Sequence, residues 1–306
     1  MRKEDYTLLA DRLPVFFQPW WLDSVCEEGE WRAEVYPEQG EPQSVFVYFV
    51  KKKHGIRYIV MPPLTQFLGE YALADNSLND CKLISNHFIG SLPKNAFMAL
   101  NMSRNFKYWS PYLWRGFKQT TRYSFVINDL TDIDAVFNNF DESKKRNVRK
   151  AAKQLEIRQK MTGEEFYDFF AANQKSKNAE VLFSRSLFLK LHKACTENSA
   201  GIILQAVDSQ CVTYGALFVV WDKTTMYALT YSFSDKYRNS GVGDYLMFAA
   251  MKMAAQMSLA FDFEGSMIEN VEQSYRRFGA KPVEYYQISK ISNPLLRIVH
   301  QFRPLF

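Results

Sequence analysis

Six consecutive residues near position 240 combine the features that bind a phosphate group. The segment Arg238-Asn239-Ser240-Gly241-Val242-Gly243 contains one cationic side chain and two glycines, and a stretch with helical periodicity follows it. The first N–H groups of a helix lack internal partners and carry a partial positive charge. Glycine lets an anion approach the backbone, and arginine adds charged hydrogen bonds. We therefore expect this segment to bind a pyrophosphate, provided that the carboxylate of Asp244, in the first helical turn, points away.

Two carboxylates further along the chain are candidates for a general base. Asp262 and Glu264 lie two residues apart in a predicted strand, which would place them on one face because side chains alternate along a strand. A partly desolvated carboxylate in a cleft has a raised pKa and can accept a proton. Glu264 is the better candidate, since it precedes Gly265 at the strand end, where open sheets place ligands. The alternative is a structural pair that hydrogen-bonds to nearby backbone.

A strand, helix, strand and helix must position these residues. Residues 225–233 are rich in β-branched and aromatic side chains, which predicts a strand, and residues 259–264 form a second, shorter one. Between them, apolar residues recur at steps of three and four, which predicts a helix packed on a core: Val242, Tyr245, Leu246, Ala249, Met253 and Met257. The next helix stops at Gly279.

Two of these motifs resemble those of the GNAT N-acetyltransferases. Arg238 to Gly243 is similar to the Arg/Gln-x-x-Gly-x-Gly/Ala loop of that superfamily, and Tyr275-Arg276-Arg277-Phe278-Gly279-Ala280 is similar to its Tyr-x-x-x-Gly-Phe motif, with Ala280 in place of Phe. The resemblance implies that the loop holds the pyrophosphate of acetyl-CoA or another acyl-CoA. It also implies that the strand with Tyr231 and Phe233 pairs with the pantetheine arm, and that Tyr275 protonates the departing thiolate. A core tyrosine is the alternative for Tyr275.

Composition bounds the class of protein. The chain has 306 residues, of which 47% are hydrophobic and 23% charged, as in a globular protein of about two domains. The formal net charge of +5 allows an anionic partner without requiring nucleic acid, and nothing indicates DNA binding. The four cysteines and four histidines are scattered, which argues against a metal site or a disulfide framework. Because neither a signal peptide nor a membrane-spanning segment is evident, we expect a cytoplasmic protein.

The order of the predicted elements indicates an α/β (α+β) fold with mixed sheets, built from two tandem GNAT-like halves. We expect a degenerate first half in residues 1–130, a basic connecting helix in residues 131–153, and a complete GNAT domain in residues 154–306. This organisation resembles the Fem family of peptidoglycan aminoacyltransferases. Three segments carry the resemblance: Phe17-Gln18-Pro19-Trp20-Trp21-Leu22, the basic helix around Lys145-Arg146-Asn147-Val148-Arg149-Lys150-Ala151, and Phe261-Asp262-Phe263-Glu264-Gly265-Ser266.

The acceptor of such a reaction must be an amine, and its class stays open. Four residues of the first half could line a groove for a sugar amine, a peptide or a lipid-linked cell-wall precursor: Gln66, Trp109, Tyr112 and Trp114. Alternatively, these rings pack the junction between the halves.

Three functions remain open from the sequence. The glycine loop favours transfer of an acyl group from acyl-CoA by direct attack, without a metal. The Fem resemblance implies an aminoacyl-tRNA donor, and the basic run Lys144 to Lys153 could bind its RNA. The alternative for this run is a solvated helix face. A non-catalytic protein that uses a cleft between the halves for docking is the third.

Overall fold

The computed structural model describes residues 1–297, which fold into two units. The first contains Met1–Arg122 and the described residues after 283, and the second is Tyr123–Val283. The boundaries fall within strands β6 (Lys118–Ile127) and β12 (Lys281–Ile291). This division puts the basic helix, expected as a separate connector in residues 131–153, inside the second unit. Most of β12, expected within residues 154–306, goes with the first unit, and the last nine residues of that range lie outside the described part.

The first unit has a mixed sheet in which the strand order is β1, β2, β3, β5 and β12. Its strands are β1 (Gly29–Tyr36), β2 (Ser44–Lys53), β3 (Ile56–Val60), β4 (Gly69–Ala72) and β5 (Phe97–Asn101). The β3–β5 pair is parallel, whereas β4 pairs antiparallel with the first half of β2. The helices are α1 (Lys3–Thr7), α2 (Pro19–Val25), α3 (Leu78–Ser91) and α4 (Ser110–Trp114). Short 3₁₀ turns span Ala10–Arg12 and Val15–Phe17.

Strand β2 forms the centre of this unit. Its first seven residues are all buried, so the strand is covered on both faces and does not alternate between apolar and polar side chains. Phe46 and Tyr48 pack with Phe88 of α3, Leu100 of β5 and Tyr112 of α4. Helix α3 starts at a capping box in which the side chain of Ser77 accepts from the backbone of Asp80.

In the second unit the strand order is β6, β11, β10, β9, β8 and β7, again with mixed strand directions. Its own strands are β7 (Glu156–Arg158), β8 (Gly201–Val207), β9 (Thr213–Trp221), β10 (Thr225–Phe233) and β11 (Ala260–Asp262). The β10–β11 pair is parallel and the other pairs are antiparallel. The helices are α5 (Ile133–Asn138), α6 (Glu142–Ala152), α7 (Gly163–Ser176), α8 (Arg185–Glu197), α9 (Val242–Gln256) and α10 (Glu269–Arg276).

Helix α9 is the central helix of the second unit, and it carries the glycine loop at its start. Its buried side chains pack on the sheet and on α6: Val242, Leu246, Met247, Ala250, Met251 and Ala254. A 3₁₀ turn over Asp235–Ser240 connects β10 to this helix. The predicted α/β architecture with mixed sheets is therefore confirmed.

Candidate functional site

The two glycines at the start of α9 have different structural roles. Gly241 has φ +85°, in the left-handed region that glycine adopts without strain, and a Cβ there would collide with the backbone of Asn147 in α6. Gly243 lies within the helix, and a Cβ there would meet only the ring of Phe233, at 3.9 Å. Gly241 therefore lets α6 approach the loop, whereas Gly243 leaves open space in front of the helix N-terminus.

The carboxylate of Asp244 is neutralised by helix α6. Lys144 donates from Nζ to Asp244 Oδ1 at 2.7 Å and to the Oγ of Ser274 at 2.8 Å, and Asn147 Nδ2 donates to Asp244 Oδ2 at 2.8 Å. The side chains of Lys144 and Asp244 are only 9% and 16% exposed. A paired and largely buried carboxylate competes less with an anion than a free one would.

A cleft of about 210 Å³ opens in front of α9. Seven of the predicted site residues line it: Tyr231, Phe233, Arg238, Gly241, Val242, Gly243 and Tyr275. The other two loop residues have structural contacts, because the carbonyl of Asn239 accepts from Lys150 Nζ at 2.8 Å and Ser240 Oγ accepts from the backbone N of Val242 at 3.2 Å. The sequence thus predicted most of the lining, but it missed Asn147, Met247, Ser274 and Phe278.

Strands β10 and β11 separate beside this cleft. They pair only from Thr225 to Tyr227 on β10, and β11 ends at Asp262. The register between β10 and β9 also shifts between Tyr227 and Thr230. Within the described chain, residues 228–233 therefore have β9 on one edge and no strand on the other. An extended ligand can hydrogen-bond to such an edge.

The two carboxylates near the strand end have different positions, and the predicted shared face is wrong. Asp262 is fully buried, and its Oδ1 accepts from the hydroxyl of Ser124 at 2.5 Å and from the backbone N of Glu264 at 2.7 Å. Glu264 has φ +62°, so the chain leaves the extended conformation after Asp262 and the alternation of side chains ends. Asp262 thus stabilises the turn that carries Glu264, as in the structural alternative.

Tyr275 lies at the base of the cleft. It is 6% exposed, its ring packs against Phe263 with centroids 4.8 Å apart, and Tyr231 lines the same cleft. Burial raises the pKa of Tyr275 far above that of a free tyrosine, and the nearby Tyr231 and Glu264 raise it further. The hydroxyl therefore stays protonated. It suits a hydrogen-bond donor to developing negative charge.

The four residues predicted to line an acceptor groove differ in exposure. Tyr112 is fully buried and donates from its hydroxyl to Glu70 Oε2 at 3.2 Å, so it belongs to the core and its predicted role in a groove is wrong. Gln66 is also buried, and its backbone carbonyl accepts from Asn101 Nδ2 at 3.1 Å. Trp109 is half-buried and Trp114 is exposed, and these two remain candidates.

Much of the basic run on α6 is engaged within the second unit. Besides Lys144 and Lys150, Lys145 pairs with Glu142 at 2.6 Å, and the guanidinium of Arg149 lies 5.4 Å from the ring centroid of Phe137. The carboxylates of Asp244 and Glu142 compensate two of these charges, whereas Arg149 and Lys150 keep their charge at exposed positions.

Comparison with known proteins identifies the fold. Residues 139–270 match the family model described as Acetyltransferase (GNAT) domain. The structure is similar to that of FemX, with a TM-score of 0.73 and 12% identity over 99% of this chain and 98% of that one. It is also similar to a tandem GNAT protein from the clavulanic acid biosynthesis pathway, with a TM-score of 0.53 and 8% identity over 90% and 87% of the two chains.

A third similar structure is the C-terminal domain of a putative lysylphosphatidylglycerol synthetase from Agrobacterium fabrum. The TM-score is 0.61 and the identity 10%, over 98% of this chain and 97% of that one. Identities this low show the fold alone. No curated protein matches the chain.

The resemblance predicted from the sequence is therefore confirmed at the level of the fold: a GNAT domain within a tandem, Fem-like architecture. Helices within residues 1–297 are too short or too polar to cross a membrane. In the same part of the chain, no group of three His, Cys, Asp or Glu side chains is arranged to hold a metal ion.

Proposed function

We propose that this chain, whose residues 139–270 match the GNAT acetyltransferase domain, is an N-acyltransferase that moves an acyl group from acyl-CoA to the amine of an acceptor. The observation that carries the proposal is the cleft in front of α9. There an accessible helix N-terminus, the cationic side chain of Arg238 and the hydroxyl of Tyr275 lie together, while the only carboxylate of the first turn is neutralised by Lys144.

The cleft suits each part of an acyl-CoA. The pyrophosphate would accept hydrogen bonds from the first N–H groups of α9 beside Gly243 and from Arg238. The pantetheine arm would pair with the unpaired edge of residues 228–233, leaving a backbone N–H for the carbonyl oxygen. The acceptor nitrogen would attack the thioester carbon directly, and the C–S bond would break to release the thiolate. Tyr275 would donate a hydrogen bond to the sulfur, and Glu264 would take the proton of the amine.

The chemical classes of the acceptor and of the donor are part of this proposal. A sugar, a peptide and a lipid-linked cell-wall precursor are the acceptor classes, and a cytoplasmic location is part of the same proposal. An aminoacyl-tRNA donor is the second candidate, favoured by the architecture that the chain shares with FemX. The ion pairs of Lys144 with Asp244 and of Lys145 with Glu142 argue against it, because they compensate part of the charge that would bind RNA.

Calorimetric titration with acetyl-CoA and CoA tests the proposal. Gly243→Leu fills the open space in front of α9 without backbone strain, and it should weaken binding of both ligands at least tenfold. The matched control is Gly90→Leu, because Gly90 is also a helical glycine around which a Cβ meets nothing within 4 Å. Gly241 is unsuitable, since any side chain there collides with Asn147 and disturbs the fold.

Three outcomes separate the candidates. Binding by the wild type and by Gly90→Leu, but not by Gly243→Leu, supports acyl-CoA as the donor, and release of free thiol with an amine acceptor then separates an enzyme from a binding protein. Absence of CoA binding by the wild type, together with salt-sensitive binding of aminoacyl-tRNA, overturns the acyl-CoA proposal in favour of the second candidate. Unchanged binding by Gly243→Leu would show that CoA binds elsewhere.

A further inference from the structure

A second cavity lies in the first unit and shares no residue with the cleft of α9. It encloses about 300 Å³, at the small end of the range for sites that bind small molecules. The end of β4 and the residues after it form one wall, the start of α3 another, and the loop after β5 the third. The lining residues that matter here are Glu70, Asp75, Cys81, Asn105, Phe106 and Lys107.

Glu70 is 7% exposed and lines this cavity. Ser85 of α3 donates to its Oε2 at 2.9 Å and Tyr112 of α4 donates to the same oxygen at 3.2 Å. Within residues 1–297, hydrogen-bond donors to this carboxyl group reach only Oε2. The second oxygen is therefore left for a ligand in the cavity.

Among the residues that the structure describes, the charges around Glu70 do not neutralise it. Lys107 is the cation that lines the cavity, and its ammonium pairs with Asp75 at 3.9 Å, where both side chains are exposed. The side chain of Asn105 is occupied as well, because it hydrogen-bonds to both the N and the O of Ala72. A carboxylate out of water is stable only beside a compensating positive charge.

We propose that this cavity is a binding site for a small ligand with a protonated amine, which pairs with Glu70. A single carboxylate with one open oxygen suits an ammonium group, whereas a divalent metal ion needs several oxygen ligands. The ring of Phe106 offers an apolar wall for the carbon chain that carries the amine. The site is independent of the proposed acyl transfer, because the two cavities lie in different units of the chain and have separate linings.

Burial raises the pKa of Glu70 to about 7, opposed by the hydrogen bonds from Ser85 and Tyr112. The other titratable groups facing it come from α3, α4 and two loops: Cys81, Tyr112, Asp75 and Lys107. Burial raises the pKa of Cys81 and of Tyr112, so both stay protonated between pH 6 and 8. His87 of α3 packs its ring against Tyr36 and Phe88 instead. Glu70 is thus the group expected to control binding in this range.

Calorimetric titration of the full chain with n-propylamine and with its neutral counterpart propan-1-ol tests the proposal. At pH 8 the wild type should bind the amine at least tenfold more tightly than the alcohol, and Glu70→Gln should remove that preference. Glu28→Gln is the matched control, because Glu28 is an exposed glutamate of the same unit that pairs with Lys51, and it should keep the preference. An alkylammonium keeps its charge in this range, as lysine does with a pKa of about 10.4.

If Glu70→Gln does not fold, the pH dependence of amine binding by the wild type still tests the proposal. With a pKa of about 7, the ionised fraction of Glu70 rises about tenfold from pH 6 to pH 8, so the affinity of the wild type for the amine should rise about tenfold. Equal binding of amine and alcohol, a pH-independent affinity, or a preference that survives Glu70→Gln would each overturn the proposal. The CoA titration is a separate readout, so failure here leaves the acyl transfer untouched.

Discussion

Replacing Lys144 by methionine should weaken both the fold and the binding of CoA. Lys144 is the ammonium that pairs with Asp244 and hydrogen-bonds to Ser274, and it connects α6 to the start of α9. Methionine keeps the length and apolar volume of the side chain but removes the charge. The carboxylate of Asp244 would then be left with Asn147 as its donor, in a largely buried position beside the expected pyrophosphate.

The two effects have different sizes. Removing one partner of a buried ion pair costs about 3–5 kcal/mol, and the lower end applies here because the Asn147 hydrogen bond remains and Asp244 is 16% exposed. An uncompensated carboxylate about 10 Å from the charge of a bound anion costs about 1–2 kcal/mol more, at an effective dielectric constant of about 20. We therefore expect the free energy of unfolding to fall by about 3 kcal/mol and the Kd for CoA to rise about tenfold.

Urea unfolding and calorimetry of three variants measure these effects. In Lys144→Met/Asp244→Asn the unpaired charge is gone, so the double variant should be more stable than Lys144→Met and should recover most of the CoA affinity. Lys193→Met is the control, because Lys193 pairs with Glu197 on the surface and its loss should cost no more than about 1 kcal/mol. A Lys144→Met protein within 1 kcal/mol of wild type in stability and with unchanged Kd would refute the reasoning, as would a double variant no better than the single one.

Three further predictions concern single side chains. Tyr275→Phe should lower kcat of the acyl transfer about 10²-fold with little change in the KM for acyl-CoA, because the ring still packs on Phe263. A fall in melting temperature that accompanies the loss of activity would point to a core role instead. Glu264→Gln should lower kcat by a similar factor, leave the Kd for CoA unchanged, and be partly rescued at high pH; full activity at neutral pH would exclude Glu264 as the base. Burial raises the pKa of Glu70 from 4.5 to about 7, so the folded state favours its protonated form, and about 3 kcal/mol of stability present below pH 4.5 should be lost as the pH rises through 7. Urea unfolding at pH 5 and pH 8 should show that loss in the wild type and not in Glu70→Gln, and parallel profiles would contradict it.

Local patterns in the sequence predicted the framework of the candidate site. Strand β10 covers the predicted residues 225–233, α9 begins within the predicted glycine loop, and Arg238, Gly241 and Gly243 line one cleft with Tyr275. These features depend on neighbours in the chain: β-branched residues favour a strand, and a left-handed glycine ends the turn before a helix.

Predictions about which side of an element faces the core were less accurate. The apolar stripe predicted for α9 packs on the core, with Val242 and Leu246 buried and Tyr245 and Ala249 partly buried. Met247 and Ala250, outside that stripe, are also buried, and the helix packs on α6 as well as on the sheet. Tyr112 was expected in a groove and lies in the core, bonded to Glu70. Hydrophobic periodicity gives the position of a face only approximately, and a helix with two packing partners buries more than one stripe.

The sequence by itself determined the glycine loop, the order of strands and helices around it, and the GNAT-like class of the fold, because each follows from residues that are near one another in the chain. Only the tertiary structure decided which charges compensate each other. Lys144 lies 100 residues from Asp244, and nothing in either local pattern indicates that they meet. The separation of β10 from β11 and the buried carboxyl of Glu70 likewise depend on how distant elements pack, which short-range patterns do not encode.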